Sequence, residues 1–118
     1  MVLAAMLCMV WPMNALAQEQ SDAAFEAQLV AKGQALVEEH CAQCHAIGRR
    51  DTSSHAEAPP FREVVQRYPP EQLAEAFAEG IQTGHPDMPI FIFEPEQIGT
   101  LIVYLNTLIE PEPGSATE

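Results

Sequence analysis

Apolar positions recur along this chain at helical spacing nearly throughout. Phe25, Leu29, Gly33, Leu36 and His40 follow one another at intervals of three or four, which predicts one face of a helix running up to Cys41. Ser21 or Asp22 offers a side-chain oxygen to cap its start. A second, short helix is expected to carry Phe61, Val64, Val65 and Tyr68. Pro69 and Pro70 stop it and open the next, because proline is tolerated in a first helical turn. That third helix sets Leu73, Phe77 and Ile81 on one side and Glu71, Glu75 and Glu79 on the other, with Gly80 and Gly84 closing it. A last helix starts near Pro95. Its Ile98, Leu101, Ile102, Val103, Tyr104, Leu105, Leu108 and Ile109 are apolar on most sides, which predicts burial. Residues 46–58 and 83–94 lack this periodicity and read as loops. Ile90 to Phe93 has the composition of a short strand, but no second strand exists to pair with it. Residues 111–118, rich in Pro, Glu, Gly and Ser, read as a frayed tail. The fold class is all-α.

The chemistry sits between the first two helices. Cys41-Ala42-Gln43-Cys44-His45 places two thiols three positions apart with an imidazole directly after the second, the attachment sequence for c-type haem. Each thiol adds across one vinyl group on a porphyrin edge, and the short tether brings His45 under the iron as proximal ligand. Two other readings were weighed. A redox dithiol would want a βαβ pattern around the motif, and none is present. A zinc site could recruit Cys41 and Cys44 with two of His40, His45, His55 and His85, but structural zinc sites usually show a second tight ligand pair. For the sixth iron position, Gly84-His85-Pro86-Asp87-Met88-Pro89 supplies one thioether in a rigid, non-helical loop. Met88 is the expected ligand. His85 is the alternative, since imidazole also binds haem iron, and an open sixth site is the third reading. As a loop residue, His85 reads more naturally as a surface histidine.

Composition narrows the class. Met1 to Ala17 is apolar and uncharged and ends Ala15-Leu16-Ala17, the pattern of a secretory signal peptide cleaved after Ala17, although no Lys or Arg precedes the apolar run. Seventeen residues broken by Pro12 and Asn14 are short for a membrane span; an uncleaved anchor is the competing reading. Cleavage would remove Met1, Met6, Met9 and Met13, leaving Met88 as the sole methionine. It would also remove Cys8, leaving only the two haem-linking thiols, as suits an oxidising compartment. The expected organisation is a signal peptide at 1–17, one domain at 18–110 and the tail at 111–118. All seventeen acidic and five basic residues follow Ala17, for a net charge of −12. This balance argues against nucleic acid and anionic membranes and suits a soluble carrier with basic protein partners.

Taken in order, Gly33-x-x-Leu36-Val37 leading into Cys41-x-x-Cys44-His45, then Ala58-Pro59-Pro60-Phe61, Gly80-x-x-x-Gly84-x-x-x-Met88-Pro89 and Val103-Tyr104-Leu105 resemble the small class I cytochromes c of bacteria. The resemblance covers essentially the whole mature length. It implies terminal helices that cross at close range, Gly33 against the region of Tyr104, with short middle helices wrapped round one covalent haem c. It also implies that a proline carbonyl, Pro59 better than Pro60, accepts the Nδ1–H of His45. The expected function is single-electron carriage between periplasmic redox partners, without enzymatic activity. Phe61 together with Ile90, Phe91, Ile92 and Phe93 is expected to wrap the haem and exclude water. A permanent subunit of a periplasmic dehydrogenase or reductase is one alternative. Another is a haem enzyme with an open sixth site, using His85 or His55 as acid–base group. Lys32 is the only lysine, so the lysine-ringed docking face of the mitochondrial type does not carry over.

Overall fold

The computed structural model describes residues 13–82 and 84–111. They form α1 (Met13–His40), α2 (Phe61–Arg67), a 3₁₀ turn (Pro70–Leu73), α3 (Ala74–Glu79) and α4 (Pro95–Thr107). Among the described residues there is no strand, and Ile90–Phe93 is loop. The all-α fold stands. No helix among the described residues is long and apolar enough to cross a membrane.

The core is built where α1 crosses α4. Gly33 makes the crossing close: a Cβ there would lie 2.0 Å from the Thr100 carbonyl oxygen and 2.7 Å from Tyr104 Cβ. No larger residue fits against backbone at that distance. Glycine costs about 1 kcal/mol of helix propensity against alanine, and the contact it permits outweighs that. Val37, one turn on, is buried with Leu101, Leu105 and Leu108 of the last helix and its end, and Val65 and Phe93 complete the cluster. The 3₁₀ turn, α2 and α3 also pack on α4. Burial of α4 is nevertheless one-sided: Ile98, Thr100, Leu101, Tyr104 and Leu105 are buried, while Ile102 and Val103 are only half-buried. Its start is capped reciprocally. Glu94 accepts from the backbone of Gln97, whose side chain accepts from the Glu94 N–H at 2.9 Å, with Pro95 in the first turn.

Three local expectations change. α1 does not begin at Ser21 or Asp22. It runs unbroken from Met13, and Ser21 Oγ donates within the helix to the Gln18 carbonyl at 2.8 Å instead of capping it. Phe25 is 62% exposed, because the apolar partners offered by α4 begin only further along α1. The third helix is split. Pro70–Leu73 winds as a 3₁₀ turn, α3 ends at Glu79, and Gly80 at φ +99° turns the chain away before Ile81. Gly80 is required there twice over, since its φ is left-handed and a Cβ would meet Ile90 Cγ2 at 2.7 Å. The expected leader falls mostly outside the described residues, as do 112–118 of the tail. The described helix crosses the Ala17–Gln18 bond without a break.

Candidate haem-binding site

α1 ends directly in the attachment motif. The N–H groups of Cys41 and Ala42 both donate to the Val37 carbonyl, at 2.9 and 3.0 Å, and those of Cys44 and His45 both return to the Cys41 carbonyl, at 3.1 and 2.9 Å. The result is a tight turn that holds two half-buried free thiols and the His45 ring together. Burial pushes the Cys41 thiol up to about 11.

His45 Nδ1 lies 2.8 Å from the Pro59 carbonyl oxygen. A carbonyl only accepts, so Nδ1 carries the proton and Nε2 is left with its lone pair outward, the tautomer a metal ligand needs. Pro59 is held in place by its neighbours: the Phe61 N–H donates to the Ala46 carbonyl at 2.8 Å, and the Phe61 ring sits 5.1 Å from that of His45. On the other side of the motif, His40 packs its ring on Phe91 and Phe93 at 5.2 and 5.4 Å, and Phe93 meets Phe77 edge-on at 5.9 Å. Among the described residues no three His, Cys, Asp or Glu side chains converge as metal ligands. The zinc reading therefore has no ligand set.

Met88 is half-buried in the loop after α3, where its N–H donates to the His85 carbonyl at 3.3 Å to close a turn. His85 is engaged elsewhere, with Nε2 2.6 Å from Glu57 Oε2. The apolar run beyond alternates. Phe93 is buried and Phe91 half-buried toward the helices, whereas Ile90 and Ile92 are exposed.

The loop at 46–58, featureless as a pattern of apolar positions, is tightly organised. Asp51 accepts from the N–H groups of Ile47 and Gly48 at 3.0 and 2.9 Å, and Ser53 Oγ accepts from that of Ala46 at 2.9 Å. Arg62 donates to the Asp51 carbonyl at 2.8 Å. Two bonds tie the loop to the last helix: Arg49 donates to the Thr107 carbonyl, and Tyr104 Oη to that of Ile47 at 2.7 Å. Asp and Ser in an aperiodic stretch were the available signal for these turns. Their long-range partners carried none.

The helix crossing at Gly33, the attachment turn and the methionine loop all lie within residues 30–108, which the cytochrome c family model matches. The chain belongs to the cytochrome c family. As a cytochrome c it is a haem-binding electron-transfer protein that carries covalently attached haem c. No curated protein and no solved structure matches it. The residues fit the group: two unpaired thiols on one turn, with an imidazole whose Nδ1 is already committed to a carbonyl, are the donor set that covalent haem requires.

Proposed function

We propose that this cytochrome c is a periplasmic monohaem carrier of single electrons, with His45 and Met88 as axial ligands and no catalytic activity of its own. The observation that carries the reading is the 2.8 Å contact from His45 Nδ1 to the Pro59 carbonyl, which presents Nε2 from the attachment turn. Bound haem supplies an iron centre that accepts and releases one electron. Cys41 and Cys44 fix the macrocycle's edge, and His45, oriented by Pro59, provides a basic nitrogen. Met88 offers a soft thioether, which favours ferrous iron and a raised potential. Phe61 lies against the His45 ring and excludes water beside it. His55 and His85, the two groups available as distal acids or bases, both hold carboxylates with Nε2, which supports a carrier over a haem enzyme. Export is read from the Ala15-Leu16-Ala17 signature; a mature protein beginning at Gln18 by intact mass establishes it, and one retaining Met1 removes it.

An optical spectrum of the ferric protein tests the ligation. A weak charge-transfer band near the red edge of the visible, from iron–thioether bonding, is the expected result. Its absence in the wild type overturns Met88 as ligand.

A further inference from the structure

Two short segments far apart in the chain share one pattern, His-x-acid: His55-Ala56-Glu57 in the loop after the attachment turn and His85-Pro86-Asp87 in the methionine loop. We propose that these segments form a reciprocal clasp that positions Met88, with His55, Glu57, His85 and Asp87 acting as positioning residues for the sixth ligand. The proposal rests on the reading of Met88 as that ligand.

The contacts are crossed and nearly symmetrical. His55 Nε2 lies 3.3 Å from Asp87 Oδ2, and His85 Nε2 lies 2.6 Å from Glu57 Oε2. Each ring also accepts at Nδ1 from the backbone of its own segment's acid: the Glu57 N–H donates to His55 at 3.2 Å and the Asp87 N–H to His85 at 3.4 Å. A nitrogen that accepts carries no proton, so each ring has its hydrogen on Nε2 and donates it across to the opposite carboxylate. Both tautomers are set by local backbone, and the clasp works with neutral imidazoles. The two rings meet edge to face, 5.4 Å apart at 88°. The rings are about a third exposed and the carboxylates far more so.

What the clasp joins gives it a role. The first segment is fastened to the haem-attachment turn: the His55 N–H donates to the Cys44 carbonyl at 3.1 Å, and Ser54 Oγ to that of Gln43 at 2.5 Å. The second segment is the turn that carries Met88, through the Met88 N–H on the His85 carbonyl. Met88 is therefore referred to Cys44 through a short run of hydrogen bonds. The long way round, by chain, passes through α2, the 3₁₀ turn and α3. A metal site is not the explanation, because no three such groups converge among the described residues. A loop that must keep a weakly binding thioether on iron gains from being held at its tip as well as at its ends.

Cyanide binding to the ferric holoprotein tests this, since cyanide enters only when Met88 leaves the iron. Exposed pairs are individually weak, so Glu57→Ala and His55→Ala should each raise the binding rate about threefold and the double variant about tenfold. Glu57→Gln, which keeps an acceptor for His85, should return the rate toward wild type. The red-edge band should be lost on warming at a lower temperature in the alanine variants, while helix melting stays unchanged. If the wild type shows the band and Met88→Ala binds cyanide rapidly, yet the alanine variants bind at the wild-type rate, the clasp is overturned and the ligand stands. If the band is absent, or Met88→Ala binds no faster than wild type, the ligand assignment itself fails and the clasp's role goes with it.

Discussion

Tyr104 and Met88 show how single side chains connect packing to the electron-carrying site. The Tyr104 hydroxyl, donating to Ile47, anchors the loop that leads to Pro59. Tyr104→Phe keeps the ring and should cost about 1 kcal/mol in urea unfolding. Burial above all, then Asp51 and Glu38, pushes the phenol above the ordinary tyrosine range, with Arg49 opposing. The folded state thus holds the Tyr104 proton more tightly than the unfolded chain does. Stability from this source is complete below pH about 10 and is lost as pH rises through the elevated folded value. Unfolding measured across that range should show a fall in the wild type that is reduced in Tyr104→Phe. For Met88, replacement by Ala should lower the reduction potential and admit cyanide, carbon monoxide or imidazole, with circular dichroism unchanged because His45 and both thioethers remain. A wild-type potential in that variant would reverse the assignment.

Between elements, the α1–α4 crossing is the most sensitive joint. Gly33→Ala pushes a methyl group into the Thr100 carbonyl, which cannot swing aside as a flexible side chain would. The helices must part, at about 2–3 kcal/mol, the upper range for overpacking. Thermal melting of the holoprotein should register it, and an unchanged midpoint would mean that the helices separate at little cost. The start of α4 makes a smaller, separable contribution. Glu94→Ala removes the cap on the Gln97 N–H, at about 1 kcal/mol, and should loosen the first turn in hydrogen exchange without moving the potential. Glu71, placed with Glu75 and Glu79 on one side of the third helix, stays exposed and accepts from Asn106 Nδ2 at 2.8 Å. That bond, ahead of one to its own backbone, lowers its pKa. Glu71 lies in the 3₁₀ turn, which packs on α4.

For the whole molecule, size and charge decide. A chain this short buries a modest core, so the covalent group is expected to complete it, and binding energy becomes folding energy. Cys41→Ala with Cys44→Ala should abolish the cooperative helical signal in circular dichroism; a native-like melt without haem would show that the polypeptide folds unaided. The net charge of −12, with Lys32 placed 3.9 Å from Glu96, leaves a surface suited to a basic partner. Electron-transfer rates with such a partner should fall steeply as salt is added. Rates indifferent to ionic strength would exclude electrostatic steering.

Local chemistry was legible in the chain itself. The spacing Cys41-x-x-Cys44-His45 dictates a tether and a ligand because both are set within one turn, and the helical periodicity around Val37 and Leu101 reflects a face that must be buried wherever the partner lies. Gly33 was readable as a point of close approach through the family resemblance, and its missing side chain is what permits the contact. The tertiary structure alone decided the rest. Why Phe25 is exposed depends on how far α4 reaches along α1. Ile81 lies outside the third helix because Gly80 turns to accommodate Ile90. Pairings between His55 and Asp87, His85 and Glu57, and Arg49 and Thr107 join residues 28 to 58 positions apart, and no local pattern marks them. Hydrogen bonds of that kind are specified by how the chain folds back, whereas tether and turn are specified by the covalent neighbours.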